Sequence, residues 1–249
     1  MEFENNKRFT KFRGAIYLAV LIFIACDSVT VSEYETQLNV YLLLNNYIGY
    51  TEAFIDRAYE IDEPSEPYLA DALVTISTGN RIDTLIFDEL QGKYISWYIN
   101  ILPGSTYCLT VSKQDFDTLY GETTVPGYFH FLNQPGDTIT LEDTIIFHRS
   151  KGAILYNCAF ERSHHTSSFW LKPDTLDRFI KIRVGDHIGS PPEGSCEIRV
   201  TAYDRNYYEY HFEPVDSLMQ AGVYQGLGLC GSAWQEWITL YLDLPEEES

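Results

Sequence analysis

Lysine and arginine are scarce in this chain: 17 of them face 36 aspartates and glutamates, and the net charge is −19. A surface of that sign repels nucleic-acid phosphates and anionic lipid head groups, which excludes nucleic acid as a partner. Catalytic and metal signatures are also missing. There is no H-E-x-x-H, no C-x-x-C, no G-x-S-x-G and no D-x-[DN]-x-[DN]-G loop. Their absence removes the sequence marks of a zinc protease, a dithiol redox centre, a serine hydrolase and an EF-hand calcium site. No apolar run reaches the roughly 20 residues that cross a bilayer as a helix. No cofactor and no metal are expected.

Two features imitate sites. Gly226-Leu227-Gly228-Leu229-Cys230-Gly231 matches G-x-G-x-x-G, but a strand-like run follows it and only 18 residues remain. A dinucleotide fold needs a helix there and an acidic residue about 20 positions on, so the segment reads as a turn. Its four glycines within ten residues (222, 226, 228 and 231) imply unusual dihedrals or close backbone approach. The six histidines are His130, His148, His164, His165, His187 and His211. They read as surface or loop residues, and adjacent His164 and His165 would point to opposite faces of an extended segment.

What is present begins at the N-terminus. Lys7, Arg8, Lys11 and Arg13 precede an 11-residue apolar run, Ala15–Ala25, followed by Cys26 and Asp27. Basic residues, a short apolar core and a small residue make up a secretory signal, here over residues 1–25. Cys26 directly after Ile24-Ala25 resembles a bacterial lipobox, in which that cysteine is lipidated. A cleaved signal without lipid and a retained helix are the alternatives. Residues 1–25 hold four of the basic and two of the acidic side chains, so without them the net charge is −21. Residues 26–36 comprise the lipidated cysteine and a polar tether that reaches roughly 35 Å at most.

An apolar fraction of 45% excludes wholesale disorder, and 19 Tyr, 14 Phe and 4 Trp favour half-buried pleated surfaces. Strand-like runs recur at 37–44, 53–59, 72–77, 81–87, 93–101 and 106–112. The Pro103-Gly104 pair marks a tight turn and Asp62–Pro67 an acidic loop. After Val125-Pro126-Gly127, the expected boundary, strands are read at 138–147, 153–162, 178–184, 196–203 and 236–242, with a loop over His187–Gly194 and a helical turn over Val215–Gln220. Short strands and frequent turns predict an all-β chain: a β-sandwich over 37–126, a second β-rich domain over 127–245, and a frayed tail at 246–249.

Several motifs then occur in a telling order: LNVYLLLNN, AFIDRAYEID, DALVTIS, a GKY strand, LPGSTYCLTV, TTVPG, IRVTAYDRNYYEYHFEP and GVYQGLGLCGS. With the lipobox before them, they resemble the bacterial envelope lipoproteins grouped as DUF4249, a family of unknown function, over about residues 37–242. That resemblance implies an immunoglobulin- or transthyretin-like first domain and carries over no catalytic residue. Cys230 departs from the aromatic or aliphatic residue common in that family.

Four cysteines follow Cys26: Cys108, Cys158, Cys196 and Cys230. In an exported chain they allow two disulfides or buried free thiols, and Cys196 with Cys230 is the preferred pair. The candidate binding residues are aromatic: Trp97, Trp234, Trp237 and Tyr207, with Trp170 beside them. Exposed rings of this kind stack on sugar faces or anchor partner proteins. Alternation over Tyr207–Phe212 would put Tyr208, Tyr210 and Phe212 in a core and Tyr207, Glu209 and His211 in water. The expected role is a non-enzymatic binding or assembly module, lipid-anchored in the bacterial cell envelope, with the outer membrane favoured. Its expected partner is an outer-membrane transporter or another envelope protein. The alternatives are a glycan-binding accessory protein and a glycoside hydrolase, which would need two carboxylates about 5–9 Å apart in a cleft.

Overall fold

Alternation along Leu38–Leu44 (β1) sets the first sheet: Leu38, Val40, Leu42 and Leu44 are buried, with half-buried residues between them. The computed structural model describes residues 36–59, 68–162, 165–174, 176–188, 194–213 and 220–243. Among these, no helix is long and apolar enough to cross a membrane. The signal, Cys26, the loop at 62–67, His164, residues 215–219 and the tail at 246–249 lie outside the described residues.

The first half contains β1, β2 (Thr51–Arg57), β3 (Leu73–Thr78), β4 (Arg81–Asp88), β5 (Lys93–Ser96), β6 (Thr106–Ser112) and β7 (Leu119–Thr124). β4 joins its two layers. Arg81–Leu85 pair with β3, and Ile86–Asp88 pair with β5. The order is therefore β1-β2-β5-β4 on one side and β4-β3-β6-β7 on the other. Between them lies a core that includes Leu42, Ile55, Val74, Tyr94, Tyr107 and Leu109. The Pro103-Gly104 turn forms as expected, with Gly104 at φ +74° and Ser105 N–H donating to the Leu102 carbonyl at 3.3 Å.

The second half contains β8 (Thr138–Ile139), β9 (Thr144–His148), β10 (Leu155–Arg162), β11 (His165–Leu171), β12 (Phe179–Arg183) and β13 (Gly194–Tyr203). The helix α1 (Arg205–Phe212), β14 (Gln220–Ala221), β15 (Val223–Tyr224) and β16 (Leu227–Leu242) complete it. The β9–β12 pair covers the β11-β10-β13-β16 sheet over a second core built from Phe147, Tyr156, Phe160, Ile198 and Leu240, among others. Val125 belongs to the first core and Phe129 to the second. Both cores lie in one compact unit, Thr36–Ser249. The chain is an all-β sandwich protein.

Several expectations need correction. The run at 138–147 is two strands, because Thr140 and Asp143 close a turn between them: Thr140 N–H donates to the Asp143 carboxylate at 2.7 Å. β7 and β11 were not anticipated. The glycine-rich segment turns only up to Gly226, with Gly222 and Gln225 at φ +68° and +57°; from Leu227 it is the start of the longest strand, and residues 228–233 of β16 are buried. Leu227–Ser232 run parallel to β1, while Ala233–Leu242 run antiparallel to β13. Small residues are required there because β1 presses against them. A Cβ at Gly228, where φ is +109°, would stand 1.9 Å from the Val40 carbonyl oxygen.

Tyr207–Phe212 is likewise not a strand. Asp204 caps α1 by accepting the Tyr207 N–H at 2.9 Å, and no α1 residue is fully buried. The expected two-face alternation therefore does not apply.

The Cys196–Cys230 disulfide is not formed, and all four described cysteines are free thiols. Cys196 faces Leu240 in the β13–β16 register, ten residues along β16 from Cys230. At about 3.3 Å per residue that separation is roughly 30 Å, far beyond the reach of a disulfide. Burial pushes the Cys158 thiol up to about 12 and also raises those of Cys196 and Cys230.

Gly228→Ala should therefore prevent folding or destabilise the chain by more than about 3 kcal/mol in urea unfolding. Gly104→Ala, where a Cβ meets nothing within 4 Å, should lose only the left-handed backbone term of about 1–2 kcal/mol. Equal losses at the two sites would contradict the packing argument.

Candidate functional site

Two loops and one strand residue build a cleft. The first loop leaves β1 as Asn45-Asn46-Tyr47-Ile48-Gly49-Tyr50, a polar turn sequence. Asn45 closes it: its side-chain oxygen accepts the Tyr47 and Ile48 N–H groups at 3.3 and 3.0 Å, while its amide donates to the Leu43 carbonyl at 3.2 Å. Asn46 ties the loop to β16. Its amide donates to the Gln235 carbonyl at 3.0 Å, and its oxygen accepts the Gln235 N–H at 2.8 Å. One side chain thereby continues the β1–β16 ladder past its last backbone pair, Leu44 with Ser232.

The second loop leaves β5 as Trp97-Tyr98-Ile99-Asn100-Ile101. The buried Tyr107 hydroxyl holds it, donating to the Asn100 carbonyl and accepting the Leu102 N–H, both at 2.9 Å. Arg81 donates to the Tyr98 carbonyl at 2.5 Å, and Ser96 Oγ accepts the Tyr98 N–H at 3.3 Å. Held in this way, Trp97 stays 66% exposed. Its ring packs on Tyr50 with centroids 4.8 Å apart, and the Lys93 ammonium, paired with Glu52, lies 5.4 Å from the Tyr50 ring centroid.

Trp234 supplies the third wall. It packs against both hydrophobic cores, and its indole N–H donates to Glu236 at 2.6 Å. Burial raises the Glu236 carboxyl above its ordinary range, partly offset by that hydrogen bond. The cleft between these elements has a volume of about 450 Å³, and no ionisable carboxylate, amine, guanidinium or imidazole lines it. The carboxylate pair that a hydrolase would need is not in this lining. Among the described residues, no three His, Cys, Asp or Glu side chains group to hold a metal ion.

The predicted aromatics therefore separate. Trp97 and Trp234 meet in the cleft. Trp237 is 60% exposed on the opposite face of β16, facing Arg199, which pairs with Glu161 at 2.9 Å and Glu197 at 2.5 Å. Tyr207 stacks at 4.1 Å on Tyr203 and packs at a tilt, 4.3 Å away, on His211, within a cluster that includes Trp170. Tyr50, Asn46 and Asn100 were not anticipated. The Asn-Asn turn immediately after a strand was the available signal for the first loop.

A sealed polar network lies where β7, β16 and the start of α1 meet. Asp204 is 4% exposed; it accepts the Thr123 hydroxyl at 2.5 Å and that of Ser232 at 3.2 Å. Burial pushes its carboxyl up to about 6, against the lowering effect of those hydrogen bonds.

No family model matches this chain, and no curated protein matches it. Among solved structures, it is similar to one titled a cytokine receptor complex, with 10% identity over 80% of this chain and 92% of that one, at a TM-score of 0.30. It is also similar to three N-terminal domains of the bacteriophage RB49 outer capsid protein Hoc, with 10% identity, 85% and 71% coverage and a TM-score of 0.25. A Ca²⁺-stabilised ice-binding adhesin of an Antarctic bacterium is 11% identical over 84% of this chain and 49% of its own, at a TM-score of 0.23. Likenesses this distant carry no functional argument.

The Asp204 carboxyl lies near 3.8 in an unfolded chain and about 6 in the folded one. Its contribution is therefore complete below pH 3.8 and lost as pH rises through 6. Between pH 4.5 and 7.5 the native chain should lose on the order of 2 kcal/mol more unfolding free energy than Asp204→Asn, which keeps the helix cap. Parallel urea-unfolding profiles for the two proteins would refute this.

Proposed function

We propose that this chain is a lipid-anchored protein of the bacterial cell envelope that binds a ligand or partner at the Trp97 cleft without transforming it. The observation that carries the reading is a braced, solvent-facing indole above an opening with no carboxylate, imidazole, amine or thiol in its lining. A general acid or base is the usual requirement for hydrolytic chemistry, whereas a fixed aromatic surface with polar groups at its edge suits recognition.

The position of the cleft along β1 is compatible with an anchored chain. The tether enters at the Leu38 end of β1, and the cleft opens just past Leu44, at the other end of a seven-residue strand. That is about 23 Å of separation. The DUF4249 resemblance fits the same role, and the partner it favours is an outer-membrane transporter or another envelope protein.

Two measurements test this. Cys26→Ala should move the protein from the membrane to the soluble fraction with its unfolding midpoint unchanged, and persistence at the membrane would sink the anchor. A photoreactive residue in place of Tyr98, 79% exposed on the cleft rim, should crosslink in intact cells; one at Leu90, 98% exposed on the far turn of β5, should not. Equal crosslinking at both positions would remove the cleft from the reading.

A further inference from the structure

We infer that the cleft takes a neutral saccharide unit, stacked on Trp97 and hydrogen-bonded by Asn100; this rests on the binding-module reading above.

Charge selects first. In a chain of net charge −19, the cleft lining carries no charged side chain. An anion would enter against the field of the protein without a counter-charge to meet it, and a cation would find no carboxylate in the cleft lining. With no counter-charge in the lining for either ion, hydrogen bonding and ring contact are what the cleft has to offer a ligand, and these suit a neutral one.

Shape and polarity select next. Trp97 presents a flat, two-thirds exposed indole that is already braced, since Tyr50 packs against it at a tilt of 48° and Lys93 sits over Tyr50. Little side-chain entropy remains to be lost on binding, which favours affinity. A pyranose ring matches such a platform: its axial C–H face is apolar, while its rim carries hydroxyls that donate and accept. Asn100 stands on the same loop, exposed. Its carbonyl is engaged by Tyr107, and among the described residues its side-chain amide has no protein partner. That amide offers both a donor and an acceptor to a hydroxyl pair. Asn46, also in the lining, retains one N–H beyond its two bonds to Gln235. At about 450 Å³, the opening falls within the range of small-molecule sites.

The test uses the full chain, purified from whichever cell fraction holds it. Isothermal titration is run with neutral hexasaccharides of glucose, mannose, xylose and galactose, and with a hexauronate as the acidic counterpart. At least one neutral hexasaccharide should bind and quench indole fluorescence. Trp97→Ala should weaken that binding about 10-fold or more, Trp97→Phe should recover part of it, and Asn100→Ala should weaken it several-fold. Trp237→Ala, on the far face of β16, should change nothing. Because Trp97 is exposed, its variants should keep the native unfolding midpoint.

Failure of every hexasaccharide to bind, preference for the hexauronate, or binding that survives Trp97→Ala would each overturn the inference. If no saccharide binds and the Tyr98 crosslink instead captures a protein in a Trp97-dependent way, the saccharide is wrong and the binding module stands. If neither saccharide nor crosslink is found, both readings fail.

Discussion

One strand binds this molecule together. β16 runs for 16 residues, and its two ends serve different cores. Leu227–Ser232 extend the first sandwich beside β1, and Ala233–Leu242 close the second beside β13. Its amino-terminal end has side chains small enough to be covered on both faces, while from Trp237 onward exposed and buried residues alternate. A strand packed on both faces reads as a near-continuous apolar or small-residue run, and one with a wet face alternates. The change of pattern within β16 therefore marks where the chain passes from one core to the other.

That passage needs more than backbone pairing. Trp234 reaches both cores. Asn46 pairs with Gln235 through two side-chain hydrogen bonds, and Thr123, Ser232 and Asp204 join β7, β16 and the start of α1 in a closed polar cluster. A buried polar cluster with its partners in place fixes geometry more sharply than apolar contact, because any slip leaves a polar group unpaired. The cleft shares two of these members, Asn46 and Trp234. Its walls are thus set by the joint between the cores as well as by the loops.

Much of the first half was legible because its strands have one wet and one dry face, and period 2 is then written in the residues. Leu38 to Leu44 and Thr106 to Ser112 are examples. What escaped reading did so for physical reasons. Gly228 to Gly231 looks like a turn because glycine usually marks one; here Gly228 marks a strand squeezed against Val40, and only the tertiary neighbour reveals that. Tyr207 to Phe212 looked like a strand because tyrosine favours sheets. Asp204 before it and Pro214 after it are a helix start and stop that outweigh propensity. The cleft was half legible. Trp97 and Trp234 stand out by residue type, but their 137-residue separation in sequence is closed only by β16 lying beside β1.

The abundance of tyrosine follows from the same architecture. A sandwich of short strands has many loops to fix and few helices to fix them with, and a buried ring with a hydroxyl at its tip can do this from within the core. Tyr94 spans to Leu69 and Ala72, Tyr107 to Asn100 and Leu102, and Tyr156 to Ser150, each by hydrogen bonds of 2.7–2.9 Å. In each case the ring contributes to the core and the oxygen stiffens a loop. For Tyr107 that loop is the one presenting Trp97 and Asn100, so the rigidity of the cleft is set by a core residue that never touches its opening. The acidic composition of the chain turns away anions. With charge left out of its lining, the cleft is walled by ring faces, amides and aliphatic side chains carried on loops that Tyr107 and Asn45 brace.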